Sequence, residues 1–596
     1  MSNRRTLLFG GFFLGLLALI LRFWHLSDVP VGLYHDEMDY VITGAAIVRD
    51  GGDLSGNWRP SSLLPLETLN ITAELPAIFH AFFQALFGAT ASSSHIPAAF
   101  FGLTTVLLTS FFTHALTKNK VLAVFVGIFL ALNPWHIYIS RLGYEAVISV
   151  FFQLLFLYSF WNGLVERRKK GILAYLVVMT LSFFFAFFTY HAAKISIIAI
   201  VVAVITWLLV QRSVLAFPKA RVGVLIVVII SCVAWTWFSP AHELLSRRES
   251  DTIFSAGHLA SIVDTERRFS LETFGGLDAV LLSKPSFLLQ EFTRNYLSVF
   301  DVYRIFVTGY EGGFQFSLAV HGFFYLSSVP LLFLGIGWWL RNKPREFSFL
   351  CTIVLVAPIA SAISVSQQSV FRSALVYLIL VLFSGTGAYA LLNRFKQKSW
   401  KRIVAILIIV VFIAEALWFG FRYFSRYPIV SADNHYFFER LLANYVVRTT
   451  DDSVLVLVES DPYRAARAII LYNQLLPTLT TEERGQFAEP KAKSFTFGRI
   501  TVTQNCQKES FTGQQIAEPG MIDRCKLFDS EEGESAVQLG LGSPIDSRMY
   551  YVLMDKSFCE QYALNTFIHT TTLATFGIEE LGDEVFCKSW VIKEEK

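Results

Sequence analysis

Residues 144–190 read YEAVISVFFQLLFLYSFWNGLVERRKKGILAYLVVMTLSFFFAFFTY, two apolar runs joined by Arg167, Arg168, Lys169 and Lys170. A membrane span needs about 20 apolar residues. Each run meets that length, and the basic link marks a short loop on the cytoplasmic side. The same pattern repeats along the chain, with spans expected at 6–24, 96–116, 121–140, 144–163, 171–190, 194–211, 222–239, 318–340, 347–365, 372–392 and 402–424. Composition agrees: 54% of the 596 residues are hydrophobic and 16% charged, against roughly 25% charge in soluble domains. A net charge of +3 gives no argument for nucleic acid. The expected fold class is therefore an α-helical polytopic membrane protein with about eleven transmembrane helices.

Charge sets the orientation. With the N-terminus in the cytoplasm, the inside loops carry Lys118 and Lys120, Arg167 to Lys170, Arg212, Lys219 and Arg221, Arg341, Lys343 and Arg345, and Arg394 to Arg402. The short loops near 140–144, 190–194 and 365–372 carry few basic residues and fall outside. Arg4 and Arg5 followed by the first apolar run read as a retained signal anchor. The expected location is the plasma (inner) membrane, with the C-terminal region extracytoplasmic. Leu75–Phe87 is apolar but short, and reads as a re-entrant or surface helix.

Three outer pieces follow, which divide the chain into a membrane domain (1–424) and an extracytoplasmic domain (425–596). Residues 25–95 hold the acidic stretch Tyr34-His35-Asp36-Glu37-Met38-Asp39-Tyr40. Asp36 to Arg49 predicts a short amphipathic helix with Tyr40, Ile47 and Val48 on its apolar side, ended by Gly51-Gly52-Asp53. Residues 240–317 read as a long loop without clear secondary structure, the kind that forms lids. Residues 425–596 predict a small α/β domain with strands near 453–458, 494–497, 499–502 and 549–554 and a helix over 461–475. Cys506, Cys525, Cys559 and Cys587 all lie in this domain, so two disulfides are expected; of the three connectivities four cysteines allow, Cys506–Cys525 and Cys559–Cys587 are preferred because they close the shorter loops, with zinc the alternative despite the lack of CxxC or HxxxH spacing. Cys232 and Cys351 read as small hydrophobes within spans.

The outer loops carry the residues that suggest chemistry. Asp36 and Glu37 as helix-start carboxylates would complement a helix dipole, yet they sit in aromatic surroundings near a membrane, where charge is costly. Arg141 and Glu145, then His191 and Lys194, then Gln367, Gln368 and Arg372 occupy further outer turns. An interfacial ion pair, a snorkelling lysine and a headgroup contact explain these pairs one at a time. Together they form the inventory for transfer from a lipid phosphate. A carboxylate takes the acceptor's proton, and cations, a bidentate arginine above all, bind the departing phosphate. Glu415, inside the last span, reads as functional or as a partner of Arg422.

The acidic pair after the first span, Glu74-Leu75-Pro76, the run Phe87-Gly88 to His95-Ile96-Pro97-Ala98-Ala99-Phe100-Phe101-Gly102, Asn133-Pro134 to Glu145, and Thr189 to Lys194 resemble the GT-C glycosyltransferases. The nearest branch is the protein-O-mannosyltransferase and aminoarabinose-transferase type, and the resemblance covers about residues 1–420. It implies an inverting glycosyltransferase, a hexosyl- or pentosyltransferase, that takes its sugar from a polyprenyl-phosphate donor. The acceptor would be a lipid, glycan or protein on the outer face. Asp36, or Glu37, would be the base and Glu145 the second acidic residue. Lys194, His191, Arg141 and Arg372 would contact phosphate. A divalent metal held by Asp36, Glu37 and Glu145 is a further expectation from the wider superfamily, although no ligand spacing demands it. The chain departs from the family at Glu74-Leu75-Pro76 and at Lys194, where an arginine is common. Two other readings stand beside the enzyme: a transporter or flippase of lipid-linked sugars, and a cell-envelope assembly protein acting through its tail. A transporter predicts mid-membrane ionisable groups and a repeat. Here the charges gather at one face.

Overall fold

The computed structural model describes residues 2–211, 219–271, 275–309, 321–365, 369–394, 399–506, 511, 513–527, 538–554, 557–568 and 572–594. Its first 430 residues form a helical bundle. Among the described residues seven helices are long and apolar enough to cross a membrane: Ser93–Thr117, Glu145–Val165, Lys169–Thr189, His191–Val210, Pro344–Ala362, Ala374–Asn393 and Arg402–Val430. The helices Ser2–Phe23 and Lys219–Phe238 cover the expected spans 6–24 and 222–239, whereas Lys120–Leu132 is shorter than the span expected there. The chain is a multi-pass membrane protein.

Where the helices fall short of the expected spans, a local reason is visible. The run 121–140 is divided into Lys120–Leu132 and Pro134–Ile139. Proline lacks the N–H that would continue the ladder, and the residue before it prefers extended backbone; Asn133 is extended and its side chain caps the second helix at His136 N, 3.1 Å away. Arg22, fully buried, donates to the freed carbonyls of Leu130 and Ala131. The run 347–365 divides at Pro358 into Pro344–Val356 and Ile359–Ala362. The expected span 318–340 starts only at Ser328, and residues 318–320 lie outside those described. Glu415 of the last long helix accepts from Leu326 N (3.1 Å) and Ser327 N (3.1 Å), just ahead of that start, rather than pairing with Arg422. Its carboxylate thus meets the positive end of the helix.

Helix Ser328–Asn342 packs against Ala374–Arg394 at two glycines. A Cβ at Gly335 would lie 1.8 Å from Phe383 O, and one at Gly387 would lie 1.8 Å from Leu331 O. Only backbone fits there, the close approach by which membrane helices gain van der Waals contact.

Residues 240–317 are not the structureless loop that their composition suggests. They form helices Ala241–Ser246, Ala256–Phe269, Gly276–Leu281 and Lys284–Ser298, with 272–274 and 310–317 outside the described residues. The last of these buries Phe287, Glu291 and Asn295, a spacing of four that gives one inward face. The weak apolar periodicity arises because that face is built partly from polar groups: Asn295 donates to Ser364 O and Glu291 pairs with His258 at 3.0 Å.

In the first outer segment, helix His35–Asp50 ends at Gly51, whose φ of 73° suits glycine. Strands β1 (Leu66–Glu67) and β2 (Ile71–Thr72) form a hairpin, and helix Pro76–Phe87 packs against His35–Asp50. Phe82, Leu86 and Phe87 remain about 60% exposed, as a helix lying in a membrane surface would leave them.

The C-terminal residues build a seven-stranded sheet. Its strands are β3 (Val454–Leu457), β4 (Ser494–Phe497), β5 (Ile500–Thr503), β6 (Gln514–Ala517), β7 (Gln538–Gly542), β8 (Met549–Leu553) and β9 (Val591–Glu594). The order is β4-β5-β3-β6-β8-β7-β9. β3 is central and parallel to β5 and β6, and the outer pairings are antiparallel. All four residues of β3 are buried, as a strand covered on both faces requires. Disulfides join Cys506 to Cys525 and Cys559 to Cys587.

This sheet domain does not end its core at residue 425. Val31, Leu33, Met38, Val41, Ile42, Ala46 and Leu54 of the first outer segment belong to the same hydrophobic cluster as Phe437, Leu441, Val454 and Trp590. Buried Arg440 donates to Val31 O and Ser27 O while pairing with Glu579. The apolar side of His35–Asp50 is accordingly Met38, Val41, Ile42 and Ala46, whereas Val48, expected there, is 49% exposed.

Candidate active site

A cavity of about 760 Å³ opens where the first outer segment, the starts of two long helices, the 240–317 segment and the sheet domain meet. Asp36 enters from the first turn of helix His35–Asp50. Glu145 and His191 are the first residues of Glu145–Val165 and His191–Val210, and Arg372 ends the short helix Ser369–Arg372. Four sequence-predicted residues, Asp36, Glu145, His191 and Arg372, therefore share one cavity. Gln367 and Gln368 lie outside the described residues.

Asp36 and Glu145 both line this cavity. His35 Nδ1 stands 3.1 Å from Asp36 Oδ1, and Asn70 of the hairpin lines the cavity beside them. Burial raises the Asp36 carboxyl above its ordinary range, and His35 opposes that rise. Tyr40, one turn further on the same helix face, lines the same cavity as Glu145, and its hydroxyl accepts from Ala73 N at 3.2 Å. Glu145 Oε2 and both ring nitrogens of His191 are buried and have no hydrogen-bond partner among the described residues. Such groups keep hydrogen-bonding capacity that the described residues do not use.

Cations come from elements that sequence inspection did not single out. Arg248 pairs with Asp251 at 2.8 Å and donates to Ile71 O at 2.9 Å; its positive charge also acts on Asp36. Arg247 pairs with Glu67 at 2.6 Å. Both line the cavity, as do Glu489 and Lys491 from the sheet domain. The signal available for the arginines was a dibasic pair in a segment that the charge pattern assigns to the outer side, against the usual bias. Nothing in the sequence marks Glu489 or Lys491. Arg372 hydrogen-bonds Tyr190.

Glu37, Arg141 and Lys194 do not reach the cavity. Glu37 is fully buried and accepts from Tyr34 N (2.8 Å) and Gly143 N (2.5 Å), tying the helix start to the turn before Glu145. Burial pushes its carboxyl up to about 8, although both amides pull it down. Arg141 is fully buried and donates to the carbonyls of Leu21, Arg22, His25 and Val29, closing the C-terminal end of the first helix. Lys194 Nζ lies 2.8 Å from both oxygens of Glu74, a buried pair beside Phe187 and Phe188. The departure at Glu74 and the departure at Lys194 are thus partners in one ion pair.

A metal held by Asp36, Glu37 and Glu145 does not fit this arrangement. Glu37 is engaged by two amides, and the described residues hold no group of three or more His, Cys, Asp or Glu side chains placed to share an ion.

No protein-family model and no curated protein sequence matches the chain. Among solved structures it is similar to ArnT from Cupriavidus metallidurans bound to undecaprenyl phosphate, at 11% identity over 91% of this chain and 96% of that one, with a TM-score of 0.49. It is also similar to the oligosaccharyltransferase AglB from Archaeoglobus fulgidus in complex with an inhibitory peptide and a dolichol-phosphate, at 12% identity over 79% of this chain, with a TM-score of 0.44. The chain spans 64% of the length of that oligosaccharyltransferase.

Proposed function

We propose that this protein is a GT-C-type membrane glycosyltransferase that moves a sugar, with inversion, from a polyprenyl-phosphate donor to an acceptor on the outer membrane face. The observation that carries the reading is the shared cavity, whose lining brings Asp36 and Glu145 together with His191, Arg248 and Arg372. In the proposed step an acceptor hydroxyl gives its proton to Asp36 while its oxygen bonds to the sugar's C1. The bond from C1 to the phosphate oxygen breaks, and its electron pair leaves with the polyprenyl phosphate. Arg372 and Arg248 offset the charge that gathers on that phosphate. Glu145, whose buried Oε2 has no hydrogen-bond partner among the described residues, orients the sugar or the acceptor.

A single catalytic base at one face of the new bond suits inversion, because no covalent sugar intermediate is needed. The orientation with basic loops in the cytoplasm puts the cavity outside, where a lipid-linked donor and a lipid, glycan or protein acceptor would meet. Arg141, Lys194 and Glu37 hold the walls.

The test is sugar transfer by the reconstituted protein from a panel of undecaprenyl-phosphate and dolichol-phosphate sugars. Asp36→Asn is expected to lower the rate by about 10² to 10⁴ with thermal stability unchanged. An Asp36→Asn protein that transfers sugar at the parent rate would remove Asp36 as base. A parent protein that flips lipid-linked sugars without transferring them would remove the enzyme reading altogether.

A further inference from the structure

We propose that residues 276–303 are seated in the membrane itself, as a wedge in the leaflet on the cavity side, so that lipid acyl chains rather than water cover their outward face. The polarity of helix Lys284–Ser298 carries this. Its buried residues are Phe287, Glu291 and Asn295, whereas Leu289 and Leu297, on the opposite stripe with exposed Thr293 between them, are 67% and 59% exposed. A helix bordering water turns its charged residues outward and its leucines in. In lipid, ionisable and amide side chains face the protein interior instead. Here Glu291 meets His258 at 3.0 Å and Asn295 donates to Ser364 O at 2.9 Å, while the leucines are left outside. The preceding helix, Gly276–Leu281, buries no residue and exposes Leu277, Val280 and Leu281.

Contacts with the spans give the depth. The Tyr296 hydroxyl donates to Leu355 O at 2.7 Å. Leu355 belongs to the membrane-length helix Pro344–Ala362, whose Ala362 end leads to Arg372 of the cavity. It stands about 10 Å inside that end, at 1.5 Å per residue, and is itself 60% exposed. Tyr296 thus reaches below the end of a span, to a level where acyl chains lie. Continuity with the bilayer supports the same level. Lys219–Phe238, which leads into this segment, exposes Trp235 and Trp237 in its last turn, the aromatic mark of a membrane interface. Charge fits as well. Arg267 donates to Leu282 O at 3.1 Å, and Arg268 and Lys284 are exposed at the edge of the apolar face. Such stems follow lipid while their heads reach headgroup phosphates. A second copy of the chain would also cover the leucines, but the depth of Tyr296 favours lipid. The same segment opens with Arg247 and Arg248 of the cavity, whose height is thereby tied to that of the lipid phosphates.

The experiment uses the full chain in vesicles of phosphatidylethanolamine and phosphatidylglycerol, with Cys232→Ala and Cys351→Ala removing the free thiols. A nitroxide is attached at Leu289→Cys, at Leu297→Cys or, on the sheet domain, at Glu584→Cys. Its collisions with oxygen, which concentrates among acyl chains, are compared with its collisions with a water-soluble nickel chelate. Oxygen should dominate at 289 and 297, and the nickel chelate at 584. Dominance of nickel at 289 and 297 would overturn the proposal. So would shielding from both reagents, which would mean that protein, a second copy included, covers this face. If the labelled variants fail to fold, the parent decides. Lipid carrying a diazirine on its acyl chain should then label peptides from 276–303 together with the last long helix, Ser399–Phe421, and labelling of that helix alone would refute the wedge. No transfer reaction enters either readout, so the outcome is independent of the glycosyltransferase reading.

Discussion

Asp36, Glu37 and Asp39 are neighbours in sequence and have three different roles in space. Successive residues on a helix point about 100° apart, so Asp36 faces the cavity, Glu37 turns to the amides of Tyr34 and Gly143, and Asp39 pairs with Arg467 of the sheet domain. Glu37 gives a prediction with a definite sign. Its folded pKa of about 8 lies above the ordinary 4.5, so the folded state keeps a proton that the unfolded chain releases. Any stability gained in this way is present at low pH and is lost as pH rises from about 5 to about 8. Melting temperature measured across that window should fall more steeply in the parent than in Glu37→Gln, and equal slopes would show that Glu37 is not the titrating group. Because a glutamine still offers one acceptor oxygen, the helix start should survive the substitution. The sequence singled out this short acidic stretch, but it favoured Asp36 over Glu37 only by family resemblance. Orientation about the helix axis is settled by what the helix packs against.

At the scale of elements, the segment ahead of helix Pro76–Phe87 is fastened to His191–Val210 by the buried pair Glu74 and Lys194. Removing one partner of such a pair leaves an uncompensated charge and costs about 3–5 kcal/mol. Lys194→Met should therefore lower the melting temperature in detergent markedly, whereas the double variant Lys194→Met with Glu74→Leu should recover much of the loss. A double variant as unstable as the single one would argue that packing around the lysine, and not the charge, matters. A phosphate-binding Lys194 predicts the opposite pattern, with donor KM raised and stability kept. The helices of residues 240–298 illustrate why some elements escaped sequence reading. Their inward faces include Glu291 and Asn295, which are acceptable in a core only because His258, Arg294 and Ser364 O receive them. No hydrophobic period records a partner brought in from elsewhere in the chain. Strands β6 and β7 were missed for a related reason. Gln514–Ala517 and Gln538–Gly542 have weak strand composition, and they extend because β3, β8 and β9 offer them ladders.

At the scale of the whole molecule, the first outer segment and the sheet domain are one folded body. They share a core, and Arg467 with Asp39, Arg484 with Asp50 and Arg440 with the carbonyls of Ser27 and Val31 cross between them. Asp39 lies three residues beyond Asp36 and also receives the Thr68 hydroxyl from the hairpin that lines the cavity. Arg467→Ala should accordingly destabilise the protein by about 3–5 kcal/mol, since Asp39 is left buried without its cation. It should also expose the segment 25–95 to limited proteolysis. Parent-like resistance to protease would mean that the sheet domain is an appendage. Its distance in sequence from Asp36 would otherwise suggest just that, because residues 425–596 read as a separate domain by composition alone.

By itself the sequence determined the membrane-helical class, the α/β character of the tail and the turns between helices where polar residues collect. Runs of apolar residues long enough to span a bilayer allow few alternatives to helix, since backbone groups in lipid must satisfy one another. Spacing and compartment favoured one of the three pairings open to the four tail cysteines, and the structure makes that one, joining Cys506 to Cys525 and Cys559 to Cys587. Tertiary structure alone decided which polar residues meet. Asp36, Glu145, His191, Arg248, Arg372 and Lys491 come from six separate stretches of chain, and no local pattern links them. It also turned Arg141 and Lys194 inward, onto helix carbonyls and onto Glu74. A long cationic side chain can point either way at a membrane surface, and the partner it finds is fixed only when distant segments have packed.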